Sequence, residues 1–220
     1  MSYLLLLVVT LALGFGCQAF IKHTYTKWNK VGISTGLTGA QAARRMLDAN
    51  GLSHVAIGRT AGELTDHFDP RTNVVSLSEA VYDGKSVSAT AIACHECGHA
   101  VQHARGYVPA KLRGALVPSV NFASSIWIVV LLIGFFLQMV GMIYLAIALY
   151  AATIIFQLVT LPVEFDASRR ALDYVKGYGF SATAEFGGAR AVLTSAALTY
   201  VAAALISVLQ LIYLLGLTRR

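Results

Sequence analysis

The sequence predicts a membrane protein, mainly α, with four transmembrane helices and a small α+β domain on one side. Two observations carry that reading. Only 13% of the 220 residues are charged and 56% are hydrophobic, whereas an ordinary soluble domain carries about 25% charged residues. The apolar residues are also concentrated, with no charge from Tyr3 to Ile21, from Gly114 to Val163, or from Ala191 to Leu217. Together these exclude a simple soluble globular protein.

A helix crosses a hydrocarbon core about 30 Å thick with roughly 20 apolar residues. The first run therefore gives one transmembrane helix over 3–21. The middle run, bracketed by Arg113 and Glu164, is too long for one crossing and right for two, 114–139 and 141–162, with a turn around Gln138 to Gly141. The last run gives a fourth helix over 191–217. Four crossings put the polar segments 22–113 and 163–190 on the same side. Eleven Lys and Arg fall in the first segment and four in the second, leaving Arg219 and Arg220 beyond the last helix. The positive-inside rule then places both segments in the cytoplasm, although Arg219 and Arg220 run mildly against it.

Met-Ser-Tyr supplies no basic region before the first apolar run, so that run reads as an uncleaved anchor in the inner membrane. The net charge of +6 is scattered among Asp and Glu, with no dense basic run. Contact with an anionic lipid bilayer accounts for it, and no nucleic-acid partner is expected. Three cysteines, Cys17, Cys94 and Cys97, make no disulfide framework and suit a reducing compartment.

Within 22–113, Thr38 to Ala49 reads as a helix with Thr38 as its N-cap and Asn50-Gly51 as its stop. His54 to Ile57 and Asn73 to Ser78 read as short strands, separated by the turn chemistry of Gly62, Asp66, Asp69 and Pro70. Ser86 to Arg105, rich in Ala and free of Pro, reads as a second helix. A domain this small buries little core of its own and is expected to pack on the membrane helices.

That second helix carries His95-Glu96-Cys97-Gly98-His99, the H-E-x-x-H pattern. Residues four apart share a helix face, so both imidazoles can reach one Zn²⁺, and Glu96 is placed to act as general base on a water held there. The domain is thus expected to be zincin-like, with one Zn²⁺ as cofactor. A catalytic zinc keeps three protein ligands. His103 lies about 12 Å along the axis from His95, too far to share an ion with it; it reads as a polar face residue or a substrate contact. Position 105, where a metzincin has its third histidine, is Arg105. The remaining candidates are His67, Glu164, Asp166 and Glu185.

Glu164 stands out among them as the first charge after the long apolar run, directly after Leu161-Pro162-Val163. A carboxylate at a membrane boundary is costly unless paired, exposed or coordinated, and four crossings return it to the side of the histidines. Pro162 is expected to kink or restart the helix there. In zinc peptidases with a glutamate ligand, an Asp four residues later orients one histidine. Here that position is Ser168, a weaker acceptor, and Asp166 stands only two residues on. The pair Cys94 and Cys97 lies inside a helix rather than at its N-terminus, so it reads as packing residues.

Thr65 to Arg71, Tyr82 to Ser86 leading into His95 to Ala104, and Leu161 to Arg170 together resemble the bacterial neutral zinc membrane metallopeptidase family over nearly the whole chain. The resemblance implies an integral-membrane, zinc-dependent peptidase of the gluzincin type, and it implies no particular substrate. A looser similarity is to membrane proteases that clear damaged membrane proteins, which usually have two membrane helices before the motif where this chain has one.

The expected activity is endopeptidic hydrolysis of membrane or membrane-proximal proteins, with His95, His99 and Glu164 on zinc and Glu96 moving the proton. His103, Tyr174 and Tyr178 are candidates for a second donor to the carbonyl oxygen, and Asn73 to Ser78 for an exposed strand edge that pairs with an extended peptide. The alternative is a non-catalytic scaffold or adaptor stabilised by zinc, which a closed fourth ligand such as His67 would favour. Metal transport fits poorly, because the membrane runs contain no charge and no histidine.

Overall fold

The computed structural model describes residues 3–177 and 183–218. Seven helices and three strands follow the order α1 (Tyr3–Asn29), α2 (Gly39–Ala49), β1 (Ala56–Thr60), β2 (His67–Asp69), β3 (Val74–Ser78), α3 (Glu79–Tyr82), α4 (Val87–Ala104), α5 (Val108–Phe136), α6 (Val140–Gly177) and α7 (Thr183–Leu217). Four of them, α1, α5, α6 and α7, are long and apolar enough to cross a membrane.

Each of these four extends beyond its uncharged run. α1 continues to Asn29, α5 begins at Val108, α6 runs on to Gly177, and α7 begins at Thr183. Pro162 therefore lies inside α6 and does not restart it. An interior proline costs about 3 kcal/mol. The turns after it offset that cost by burial, since Val163, Glu164, Ala167, Ser168 and Ala171 are all buried. α5 and α6 form a hairpin whose turn is centred on Gln138, in the left-handed region at φ 53°. Gly134 fits this turn because a Cβ there would lie 2.9 Å from Met142 Cβ. At the other end Arg113 Nη1 stands 3.5 Å from Glu164 Oε1, so the hairpin returns to where it left.

The small domain begins with α2, whose N-terminus is closed by a capping box. Thr38 Oγ1 accepts from the Gln41 N–H at 3.2 Å, and Gln41 Oε1 accepts from the Thr38 N–H at 2.9 Å; such a cap contributes about 1 kcal/mol. The sheet order is β1-β3-β2, with β1 parallel and β2 antiparallel to β3. Asn73 to Ser78 is thus the central strand, paired on both sides, and offers no free edge. The edge strands are β1 and β2; β2, His67–Asp69, is one that sequence reading left in turns, because three residues among Asp and Pro carry no alternation.

α4 is the hub. Ser86 Oγ caps it by accepting from the Ala89 N–H at 3.1 Å and donates to Asn29 Oδ1 of α1 at 2.7 Å. Its Ala91, Cys94, Cys97 and Val101 share one core with Met46 and Leu47 of α2, Val75 and Leu77 of β3, Ala171 and Val175 of α6, and Val192 and Leu193 of α7. The α+β segment is therefore not a separate body, because α6 beyond its uncharged run and the early turns of α7 complete its core. Gly98 sets the joint between α4 and α6: a Cβ there would lie 2.6 Å from the Ala167 carbonyl oxygen of α6. Only glycine lets α4 and α6 approach this closely.

Candidate metal centre

That joint brings the two histidines of α4 against α6. His95 Nε2 lies 3.3 Å and His99 Nε2 3.6 Å from Glu164 Oε2, and the three donor atoms fall within 4.8 Å of one another. Donors about 2.0–2.1 Å from a tetrahedral ion stand about 3.3 Å apart, so the set fits zinc. Glu164 is a carboxylate only 3% exposed. Such a group needs compensating charge, and the site offers Arg113 and the two imidazoles. Arg113 escaped sequence reasoning as a site residue, although its place as the last charge before the apolar run mirrors that of Glu164.

The orientation of both imidazoles is fixed from behind. Gln102 is 1% exposed, and its Nε2 donates to the Val163 carbonyl at 2.7 Å and to Asp166 Oδ2 at 3.0 Å. Both partners are acceptors, so the amide oxygen must be the end that faces His99 Nδ1, 3.1 Å away. An acceptor there requires a proton on Nδ1, which leaves the Nε2 lone pair free for a metal. His95 Nδ1 is partnered by Ser168 Oγ at 3.2 Å. Asp166 thus reaches a histidine through Gln102 rather than directly, and Arg169 and Arg170 hold its carboxylate from the other side. Sequence reasoning missed Gln102; its signal is the i, i+3 spacing from His99.

Other candidates lie elsewhere. Glu185 accepts from the Ser34 N–H and hydroxyl, both at 2.9 Å, away from the histidines. His67 sits on β2 with Nδ1 against the Thr65 carbonyl at 2.8 Å. His103 is exposed and stacks at a tilt on Phe68, with ring centroids 5.9 Å apart. Tyr174 is buried in the shared core, and Tyr178 lies outside the described residues. Burial pushes the Cys94 thiol up to about 12 and the Cys97 thiol well above its ordinary value, so neither supplies a thiolate near neutrality.

Two cavities meet at this centre. The larger, about 840 Å³, runs over His95, His99 and His103 and is walled by β2 and the start of α5. The smaller, about 170 Å³, lies over Ile92, His95 and Glu96 toward the N-terminus of α4. Asp66, Glu96, Glu164 and Tyr200 line both. Asp66 accepts from the Ser78 N–H at 2.7 Å. Burial raises its pKa above the ordinary carboxylate value, and the Ser78 hydrogen bonds offset that only in part.

Two part-buried histidines and a buried glutamate converge here, with Glu96 beside them and an open cavity in front, and these three could hold a zinc ion. Residues 3–219 match the family described as "Putative neutral zinc metallopeptidase", and the chain belongs to that family. It is also 46% identical to the "Putative membrane protease YugP" of Bacillus subtilis (strain 168) over 212 residues, covering 96% of this chain and 94% of that protein. No solved structure matches it.

Proposed function

We propose that the protein is a multi-pass membrane endopeptidase of the gluzincin type, cutting membrane or membrane-proximal proteins on the cytoplasmic side. The observation that carries the reading is the convergence of His95, His99 and Glu164 beside Glu96 at the head of a cavity of about 840 Å³. The charge change on the long helices supports the placement. Lys22, Arg113, Glu164 and Arg190 are the first charges bordering the apolar runs, and the Arg113–Glu164 pair puts two of them at the level of the histidines. The centre then sits at the bilayer surface, on a zincin-like domain.

His95, His99 and Glu164 would hold one zinc ion, which when bound activates water and polarises a carbonyl. Glu96 takes the proton from the attacking water and passes it to the leaving amine. Gln102 and Ser168 keep the imidazoles aimed through their Nδ1 protons. The free side of β2, lining the larger cavity, replaces Asn73 to Ser78 as the edge available to an extended substrate. The donor group contains three members among the described residues, and this favours the catalytic over the scaffold reading.

The test is Glu96→Gln in zinc-loaded protein in liposomes. Hydrolysis of a membrane-protein substrate is expected to fall by about 10²–10⁴-fold while zinc content stays the same. Activity retained at full zinc occupancy would refute Glu96 as the base.

A further inference from the structure

The smaller cavity differs from the larger one in what surrounds it. Its floor is Glu96 and Glu164, and its walls come from Ile21 of α1 and Val192, Leu193 and Ala197 of α7. Those four side chains are apolar, and Asp66 with the phenols of Tyr25 and Tyr200 borders the recess beside them. Ile21 is the last residue of the first uncharged run, and Val192, Leu193 and Ala197 stand in the opening turns of the last one. A recess with an apolar wall that opens on carboxyl groups has a restricted choice of occupant. An extended chain advances about 3.3 Å per residue, so a side chain seated against Glu96 and Glu164 belongs to a residue that itself forms the bond under attack.

We propose that this recess is a specificity subsite that receives an aliphatic side chain of a residue flanking the scissile bond, the rest of the substrate lying in the larger cavity. The assignment rests on the peptidase reading above. Its chemistry is burial and charge: each methylene transferred from water against the apolar wall strengthens binding about fourfold, and an acidic side chain there meets the carboxyl groups of Asp66, Glu96 and Glu164. The aliphatic residue can come from a soluble peptide or from the point where a membrane segment leaves the bilayer, and the walls of α1 and α7 lie where the second would deliver it.

The experiment uses the full chain, zinc-loaded in liposomes, with peptides varied at the two positions flanking the cleaved bond. Leu at one of them is expected to raise kcat/KM over Gly or Asp by about tenfold or more. Ala197→Leu, which fills the recess, should lower the Leu-to-Ala preference by about tenfold, and Val192→Ala, which enlarges it, should shift preference toward Phe. Zinc content and melting temperature identify variants that remain folded, and Val192→Ala decides the matter if Ala197→Leu does not fold. A second reading is independent of turnover: zinc-loaded Glu96→Gln should bind the Leu peptide more tightly than the Gly peptide.

Cleavage with no preference at either position, or a preference that neither variant changes, overturns the subsite and leaves the peptidase reading standing. If no peptide or membrane protein is cut at all, both fall. Fusing the preferred sequence to an apolar helix and sliding it by four residues separates the two sources. A cut that stays at the bilayer boundary supports delivery from the membrane, and one that follows the sequence supports a soluble segment in the same subsite.

Discussion

α4 and α6 build the same centre from opposite kinds of sequence. α4 is an 18-residue helix inside a domain, and it presents three of the groups proposed to react within five residues, His95, Glu96 and His99. α6 is a 38-residue helix, mostly apolar, and it presents its one proposed ligand, Glu164, past its middle. Yet α6 also provides the histidines' support: Ser168 for His95, and the Val163 carbonyl and Asp166, through Gln102, for His99. The chemistry is concentrated on one helix and the precision on the other. A motif can name the reacting groups, but their geometry depends on how a long apolar helix ends.

The largest effect that would break this division is loss of the ligand that α6 brings. Glu164→Ala should weaken zinc binding by more than about 100-fold, beyond the loss typical of outer partners, as read by competition with a chelator. Zinc binding unchanged in that variant would leave α6 with support of the histidines and packing, but no ligand. Next comes the joint itself. Gly98→Val drives a side chain into the Ala167 backbone and should cost about 1–3 kcal/mol in thermal unfolding, with zinc affinity falling as well because the two helices separate.

The two supports should rank below these and differ from each other. Gln102→Leu removes the acceptor from His99 and strands Asp166, and is expected to lower zinc affinity by about 10–100-fold. Ser168→Ala removes one hydroxyl and should cost less than tenfold. Equal losses would show that the Gln102 link carries no more than a single hydrogen bond.

The smallest effect is that of pH. Burial alone would lower the His99 pKa, but the hydrogen bond to Glu164 and the charges of Glu96 and Glu164 outweigh it and hold the metal-free imidazole above its ordinary value. Protons therefore compete with zinc over a wider range, and zinc affinity should fall as pH drops from 8 toward 6. An affinity flat across that interval would contradict the shift.

Much of α4's contribution was legible because it is local. The Ala-rich, Pro-free run from Ser86 reads as helix, the four-residue spacing of His95 and His99 needs only helical periodicity, and Thr38 with Asn50-Gly51 brackets α2. Glu164 was legible for a different reason, as a charge that ends a long uncharged run. What stayed hidden depends on neighbours distant in sequence. The helix survives Pro162 because the turns beyond it are buried against α4, a tertiary gain that local propensity does not register. β2 exists because β3 lies beside it, and Gln102 matters because the Val163 carbonyl, 61 residues away, fixes which end of its amide faces His99.

α6 is held at two places along one rigid rod. Near its start Gly134 of α5 fits against Met142 and Ile143, and near its end Gly98 of α4 fits against Ala167. A helix turns about 100° per residue. One residue inserted between Ile143 and Glu164 would therefore rotate one contact by that angle relative to the other, and both could not be kept. The intervening stretch can vary widely in which apolar residues it uses, but it is fixed in their number. Insertions and deletions there are a sharper hazard to the metal centre than almost any substitution.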